Sequence, residues 1–308
     1  MTHLAIEQVS KSYGAVQALK QVSFAVQHGH THALLGENGA GKSTLIKILA
    51  GAERPDSGDI RLSDVQFKPQ NPKEALAAGV STIYQVFNLL PDRTLMHNIM
   101  LGKEPRTAVG LLDVSAMRQQ TRAILARLNA EHLDPDMRVA DLRVGEKQII
   151  EIAKALLNRS QVVIMDEPTS ALNQAEVEAL FKVIAVLKSE GITIVYVSHR
   201  LDEIFLLADA VTILRDGAHI STYPIKSVTR ESLVEDMIGR KLVGVFPPRS
   251  HPGAKEVLRV EGLSTRRTLH DINFSLYEGE VLAIAGLSGS GKTELGKVLY
   301  GDLHIDAG

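Results

Sequence analysis

Gly36-Glu37-Asn38-Gly39-Ala40-Gly41-Lys42-Ser43-Thr44 has the spacing of a phosphate-binding loop, and the chain carries it twice. It returns as Gly286-Leu287-Ser288-Gly289-Ser290-Gly291-Lys292-Thr293-Glu294. The offset, 286 minus 36, is 250 residues. The flanks keep the same register: Ala33-Leu34-Leu35 matches Ala283-Ile284-Ala285, and Phe24 and Gly29 match Phe274 and Gly279. Glycines at these positions let backbone N–H groups curl round phosphate oxygens, and the helix that starts there turns its positive end toward the anion. Lys42 is placed to reach the β- and γ-phosphates, and Ser43 to offer its hydroxyl to Mg²⁺. Gly286, Gly289, Gly291, Lys292 and Thr293 are the corresponding phosphate-binding candidates of the second copy. Two copies in register make glycine-rich surface turns the poorer account. The expectation is a chain that binds a nucleoside triphosphate.

Composition narrows the class. The 308 residues allow one large domain or two modest ones, and 44% hydrophobic with 23% charged residues describes ordinary globular material. A formal net charge of −2 gives no support for a nucleic-acid partner. Without cysteine there are no disulfides and no thiolate metal sites. Met1-Thr2-His3-Leu4-Ala5-Ile6-Glu7 lacks the basic start and apolar run of a signal peptide. No apolar run approaches the roughly eighteen residues that span a bilayer. Any role in a membrane process is expected to be played from a soluble face.

Leu4–Val9, Val22–Val26 and His32–Leu35 read as strands. After Lys42 the pattern Leu45, Ile46, Ile48, Leu49 is helical and Gly51 closes it. Segment 115–131 sets Met117, Ile124, Leu125 and Leu128 on one helical face, and Gln148–Leu157 is a further helix. Val162-Val163-Ile164-Met165 and Ile192-Thr193-Ile194-Val195-Tyr196-Val197 have the composition of buried parallel strands. The helix Glu176–Lys188 between them completes a βαβ unit. Residues 241–256, with Gly244, Pro247, Pro248, Pro252 and Gly253, read as a linker, and the second unit starts near Val257. The predicted organisation is a complete domain over 1–240, the linker, and the opening of a second domain over 257–308.

Met165-Asp166-Glu167 follows an apolar strand. In a P-loop NTPase an Asp at this strand end holds Mg²⁺, directly or through water, and the adjacent Glu167 would polarise the attacking water as general base. Two solvated acids opening a loop is the competing reading.

Here the chain resembles the ABC ATPases. Asp166-Glu167-Pro168-Thr169-Ser170-Ala171-Leu172 is similar to their Walker B and D-loop run. Lys11-Ser12-Tyr13-Gly14 resembles the A-loop, which implies that Tyr13 stacks on adenine. Ile83-Tyr84-Gln85-Val86-Phe87-Asn88-Leu89-Leu90 resembles the Q-loop, which implies that Gln85 senses Mg²⁺ and couples to a membrane partner. Val197-Ser198-His199-Arg200-Leu201-Asp202-Glu203-Ile204-Phe205 resembles the switch segment, which implies that His199 contacts the γ-phosphate. The implied fold is α/β, a P-loop NTPase of ABC type. It has a mixed sheet core, an antiparallel β-subdomain and a helical subdomain, followed by the start of a second copy. The tandem layout is most similar to ATPase subunits of bacterial carbohydrate importers, a branch that includes furanose-type autoinducer importers. That likeness implies ATP and Mg²⁺ as cofactors and permease subunits as integral membrane partners. It also implies a solute-binding protein as an indirect partner, a second nucleotide-binding domain across an ATP sandwich, and a peripheral place on the cytoplasmic face of the membrane.

Two departures stand out. The signature run of the family begins Leu-Ser-x-Gly, but this chain reads Leu142-Arg143-Val144-Gly145-Glu146-Lys147. The serine that donates to the γ-phosphate of the opposite domain is missing. The Gly145 N–H and the helix start are expected to remain as part of an anion site. Arg143 either pairs with that phosphate or is too bulky for closure, and weakened closure is the expectation. Asn173 stands where many relatives have Asp. The second copy has its phosphate loop but lacks the later motifs, so it is not expected to hydrolyse ATP unaided. The chain is expected to be a fragment of a tandem protein or a shortened product that pairs with another copy. A soluble ABC ATPase acting on ribosomes or DNA, a non-catalytic remnant, and an unrelated P-loop kinase are the competing functions.

Overall fold

The computed structural model describes residues 2–240, 253–266, 268–287 and 289–308. The chain falls into two units, Met1–Lys241 and Leu242–Gly308. The first opens with a long antiparallel pair, β1 (Thr2–Tyr13) and β2 (Val16–Gln27), and then β3 (Thr31–Leu35) runs into the phosphate loop and α1 (Lys42–Leu49). Next come β4 (Ser57–Leu62), β5 (Val65–Gln66), α2 (Pro72–Ala77) and β6 (Val80–Ile83). A helical stretch follows, α3 (Leu95–Met100), α4 (Val114–Arg127) and α5 (Val144–Leu157). The remainder alternates: β7 (Val162–Asp166), α6 (Gln174–Ser189), β8 (Thr193–Val197), α7 (Leu201–Leu207), β9 (Ala210–Arg215), β10 (Ala218–Pro224) and α8 (Arg230–Ile238).

All ten strands form one sheet in the order β5-β4-β1-β2-β10-β9-β3-β8-β7-β6. Its parallel part is β9-β3-β8-β7-β6, and its antiparallel part is built on β1, β2 and β4. Alternation along the parallel strands explains why they are apolar throughout. Ala33, Leu35, Val163, Met165, Ile194 and Tyr196 pack into one core with α3, α4, α5 and α6. Leu34, Val162, Ile164, Val195 and Val197 pack into another, with the apolar side of α1 and the β1–β2 layer. The helical subdomain caps its own ends: Thr94 accepts from the His97 N–H, and Asp113 from the Ala116 N–H.

The expected strands and helices are present, with longer bounds where hairpin pairing extends β1 and β2 and where α5 begins at Val144 rather than Gln148. The second unit holds β11 (Glu256–Leu263) and β12 (Ile272–Tyr277), an antiparallel pair, and α9 (Lys292–Tyr300). Of the expected linker, 241–252 lies outside the described residues, and Glu256 already belongs to β11. Ala283-Ile284-Ala285, the counterpart of β3, is not a strand. β3 is held between two parallel partners, β8 and β9. Among the described residues of the second unit the sheet has only two strands, so that segment has no ladder to join.

Candidate nucleotide site

The C-terminal ends of β3, β6, β7 and β8 lie side by side, and each delivers part of one cleft. In open α/β sheets ligands sit at this edge. The cleft has a volume of about 1080 Å³ and is lined by Gly36-Glu37-Asn38-Gly39, Gly41-Lys42-Ser43-Thr44, Gln85, Asp166, Glu167 and His199. Val16, Gln17, Ala18 and Met237 complete its wall. Nothing in their residue types or spacing marked these four in the sequence, because β2 and α8 reach the loop only through the tertiary fold.

The loop takes its shape from glycine. Gly36, Gly39 and Gly41 have φ of 154°, 87° and 99°. The Ala40 N–H donates to the Glu37 carbonyl at 3.1 Å, and the Leu45 N–H to the Gly41 carbonyl at 3.0 Å. No side chain caps the start of α1, so its first N–H groups face the cleft without an internal acceptor. Lys42 Nζ donates to the carbonyls of Gly36 at 2.7 Å and Glu37 at 3.0 Å. Burial lowers the Lys42 ammonium, opposed by the charges of Glu167 and Asp166. Burial also raises the Asp166 carboxyl, the Glu167 charge pushes it the same way, and Lys42 opposes.

Glu167 sits in the left-handed region with φ of 46°, held by its N–H donating to the Val197 carbonyl at 2.9 Å. A non-glycine residue there stores roughly 1–3 kcal/mol, a strain found at functional sites. His199 Nδ1 lies 3.1 Å from Glu167 Oε1 and donates to it when Glu167 is ionised. Gln85 Nε2 is 3.5 Å from Glu167 Oε2, at the limit of a hydrogen bond. Ser43, Gln85 and Asp166, the residues expected to hold Mg²⁺, all line this cleft, and a hydroxyl, an amide and a carboxylate are oxygen donors suited to that ion.

Tyr13 lies outside this lining. It ends β1, pairs with Val16, is 42% exposed, and has Lys11 Nζ 5.4 Å from its ring centroid. Arg143 and Gly145 lie elsewhere, at the start of α5. The Gly145 N–H, expected to be an anion donor, instead donates to Glu176 Oε1 at 3.2 Å, while the Arg143 N–H donates to Glu146 Oε2 at 2.7 Å. A carboxylate of the chain itself therefore lies at the helix start.

In the described residues of the second unit, three of the first loop's four hydrogen bonds recur. The Ser290 N–H donates to the Leu287 carbonyl at 3.2 Å, the Leu295 N–H to the Gly291 carbonyl at 2.8 Å, and Lys292 Nζ to the Gly286 carbonyl. Gly289 and Gly291 have φ of 81° and 88°, and Thr293 follows Lys292 in the first turn of α9.

Comparison with known proteins matches the sequence model described as ABC transporter over residues 19–170 and 269–308. The chain is 43% identical over 298 residues to a putative ribose/galactose/methyl galactoside import ATP-binding protein 2 of Rhizobium etli, covering 97% of this chain and 58% of that protein. It is 44% identical over 305 residues to the ribose import ATP-binding protein RbsA 1 of Streptomyces coelicolor, covering 99% and 60% respectively. The chain thus spans about three-fifths of the length of these relatives. Among solved structures, the ADP conformation of MJ1267, an ATP-binding cassette of an ABC transporter, superposes with a TM-score of 0.69. It is 26% identical and covers 78% of this chain and 100% of that one. A nucleotide-free cassette from an ABC transporter gives 0.65 at 24% identity, covering 78% of this chain and 96% of that one.

Proposed function

The chain belongs to the ABC transporter family of ATP-binding cassettes, and from that premise we propose that it binds ATP at the Gly36–Thr44 loop and hydrolyses it to energise solute import. The observation that carries this reading is the meeting of Glu167, His199 and Gln85 in the cleft of the phosphate loop. Residues 1–240 would form a whole nucleotide-binding domain and residues 257–308 the opening of a second, whose Gly286–Glu294 loop takes the same ligand.

Mg²⁺ held by Ser43, Asp166 and Gln85 would neutralise phosphate charge. Lys42 leaves the loop carbonyls to pair with the β- and γ-phosphates. Glu167 accepts the proton of the attacking water as its oxygen bonds to the γ-phosphorus, and the bond to the bridging oxygen breaks with its electrons leaving on ADP. His199 orients Glu167 and contacts the γ-phosphate. Tyr13 stacks on adenine beside the Val16–Ala18 wall. A sugar of the ribose or galactose class is the solute that the relatives' names support. No described helix is long and apolar enough to cross a membrane, so the permease would be a separate partner, fed by a solute-binding protein, with this chain peripheral on the cytoplasmic face. A groove beside Gln85, between the β6 edge and α5, is lined by apolar Leu76 and Val86 and by polar Asn88, Glu151 and Lys154, and supports docking of a permease segment of mixed polarity.

A second reading, ATP binding with little turnover, is favoured by Arg143 in the signature and by the Glu176 carboxylate on Gly145. Steady-state hydrolysis measured across protein concentrations, beside Glu167→Gln, separates the two. Turnover that rises more than linearly and vanishes in the variant supports a working sandwich of two first domains. ATP binding without turnover supports the second reading, and no ATP binding removes both.

A further inference from the structure

Glu203 is 4% exposed, and the proposed chemistry makes no use of it. Its Oε2 accepts three hydroxyl hydrogen bonds: from Thr169 at 2.9 Å, Tyr196 at 2.8 Å and Ser198 at 3.0 Å. All three donors are buried to at least 97%. Its Oε1 pairs with Arg200 Nη1 at 2.9 Å, and the Arg200 N–H donates back to Ser198 Oγ at 3.0 Å. Desolvating a carboxylate is expensive, and several charge-assisted bonds onto one oxygen are what offset it.

The donors come from three places that matter to the site. Thr169 stands two residues after Glu167, on the turn that leaves β7. Ser198 immediately precedes His199, and Arg200 immediately follows it. Tyr196 lies on β8 itself, and burial together with the Glu203 charge raises its hydroxyl, which keeps it a donor. One carboxylate thus ties the turn carrying Glu167 to the turn carrying His199, whose side chains meet at 3.1 Å. We propose that Glu203 is a positioning residue that sets the Glu167–His199 pair by stapling these two turns through Thr169, Ser198 and Tyr196. This rests on the function proposed for Glu167 and His199. Glu203 is not among the residues that line the cleft; it acts through the side chains of Thr169, Tyr196 and Ser198, which fix the two turns.

The test uses the full chain and the ratio of its affinities for ATP and ADP with Mg²⁺, measured by displacement of a fluorescent nucleotide. ADP lacks the group that His199 contacts, so it reports the phosphate loop alone. In Glu203→Gln, which keeps volume but loses the charge, ATP binding is expected to weaken relative to ADP by roughly tenfold. ADP affinity should stay close to wild type, although the melting temperature is expected to fall because a buried, multiply bonded charge is lost. His199→Ala should show the same loss, and the double variant no further loss, since both act on one contact. Tyr196→Phe removes a single donor and should give a smaller change of the same kind, which keeps the test open if Glu203→Gln folds poorly. An unchanged ratio in both variants, or equal losses for ATP and ADP, would overturn the inference and leave the proposed function standing. Wild-type protein that does not bind ATP would instead overturn the proposed function, and the inference with it.

Discussion

Gly36 has no room for a side chain: a Cβ there would lie 2.3 Å from the Leu214 carbonyl oxygen and 2.8 Å from the Ala40 Cβ. Gly41 is as tight, with the Ala18 carbonyl oxygen at 2.6 Å. Gly39 has open space, and only its φ of 87° asks for glycine. Gly36→Ala is therefore expected to distort the loop and weaken ATP binding about a hundredfold, against about tenfold for Gly39→Ala, where only the strain of a left-handed residue must be met. Calorimetric titration of both variants with ATP checks the order, and equal losses would refute it. The glycines, Lys42 and Ser43 were legible because a phosphate loop is a short-range object, its shape set by neighbouring φ angles. Glu203 was not. Its residue lies within the quoted switch segment, but its three donors come from positions 5, 7 and 34 residues away.

Helix α6 shows the same division within one element. Asn173 accepts from the Glu176 N–H at 3.1 Å and its own N–H donates to Glu176 Oε2 at 3.0 Å, a reciprocal cap readable as an Asn-x-x-Glu pattern. The other oxygen of Glu176 reaches the Gly145 N–H on α5, which no pattern announces. Glu176→Ala breaks both bonds. It is expected to lower unfolding free energy by about 1–2 kcal/mol, measured by urea titration. If the signature works as proposed, the same variant frees Gly145 and raises turnover per chain at high protein concentration. A stability loss without any gain would mean that Glu176 does not compete with nucleotide there.

Across the whole first unit, buried histidine makes stability depend on pH. His32 is 1% exposed, stacked on Phe24, and its Nε2 lies 2.7 Å from Thr212 Oγ1. Burial, with smaller contributions from His30 and His219, pushes it down from 6.5 to about 4. Below 6.5 the unfolded chain takes up a proton that the folded protein refuses, so this stabilisation is full above 6.5 and fades as pH falls toward 4. The loss amounts to roughly 3 kcal/mol over that window. Urea titrations from pH 7 to 4 should show it, and His32→Gln should flatten the profile. The second unit rests on a core of Val260, Leu263, Leu269, Leu295 and Val298, far smaller than either core of the first. Limited proteolysis followed by mass spectrometry is expected to cut within 253–308 before 2–240, because so small a core resists opening least.

The sequence by itself determined the repeated phosphate loop, the apolar strands and helices, the family, and the residue types that a nucleotide would meet. Each of these is written in neighbouring residues: glycine conformations, a periodic apolar face, a cap. What only the tertiary structure decided is which of them meet. The 3.1 Å contact of Glu167 with His199 exists because β7 and β8 pair in parallel with Asp166 opposite Val197. β3 is a strand because β8 and β9 flank it, whereas Ala283-Ile284-Ala285, with a similar sequence, is not. Register and sheet order are properties of segments far apart in the chain. The energy that fixes them is burial summed over whole strands, which no local pattern records.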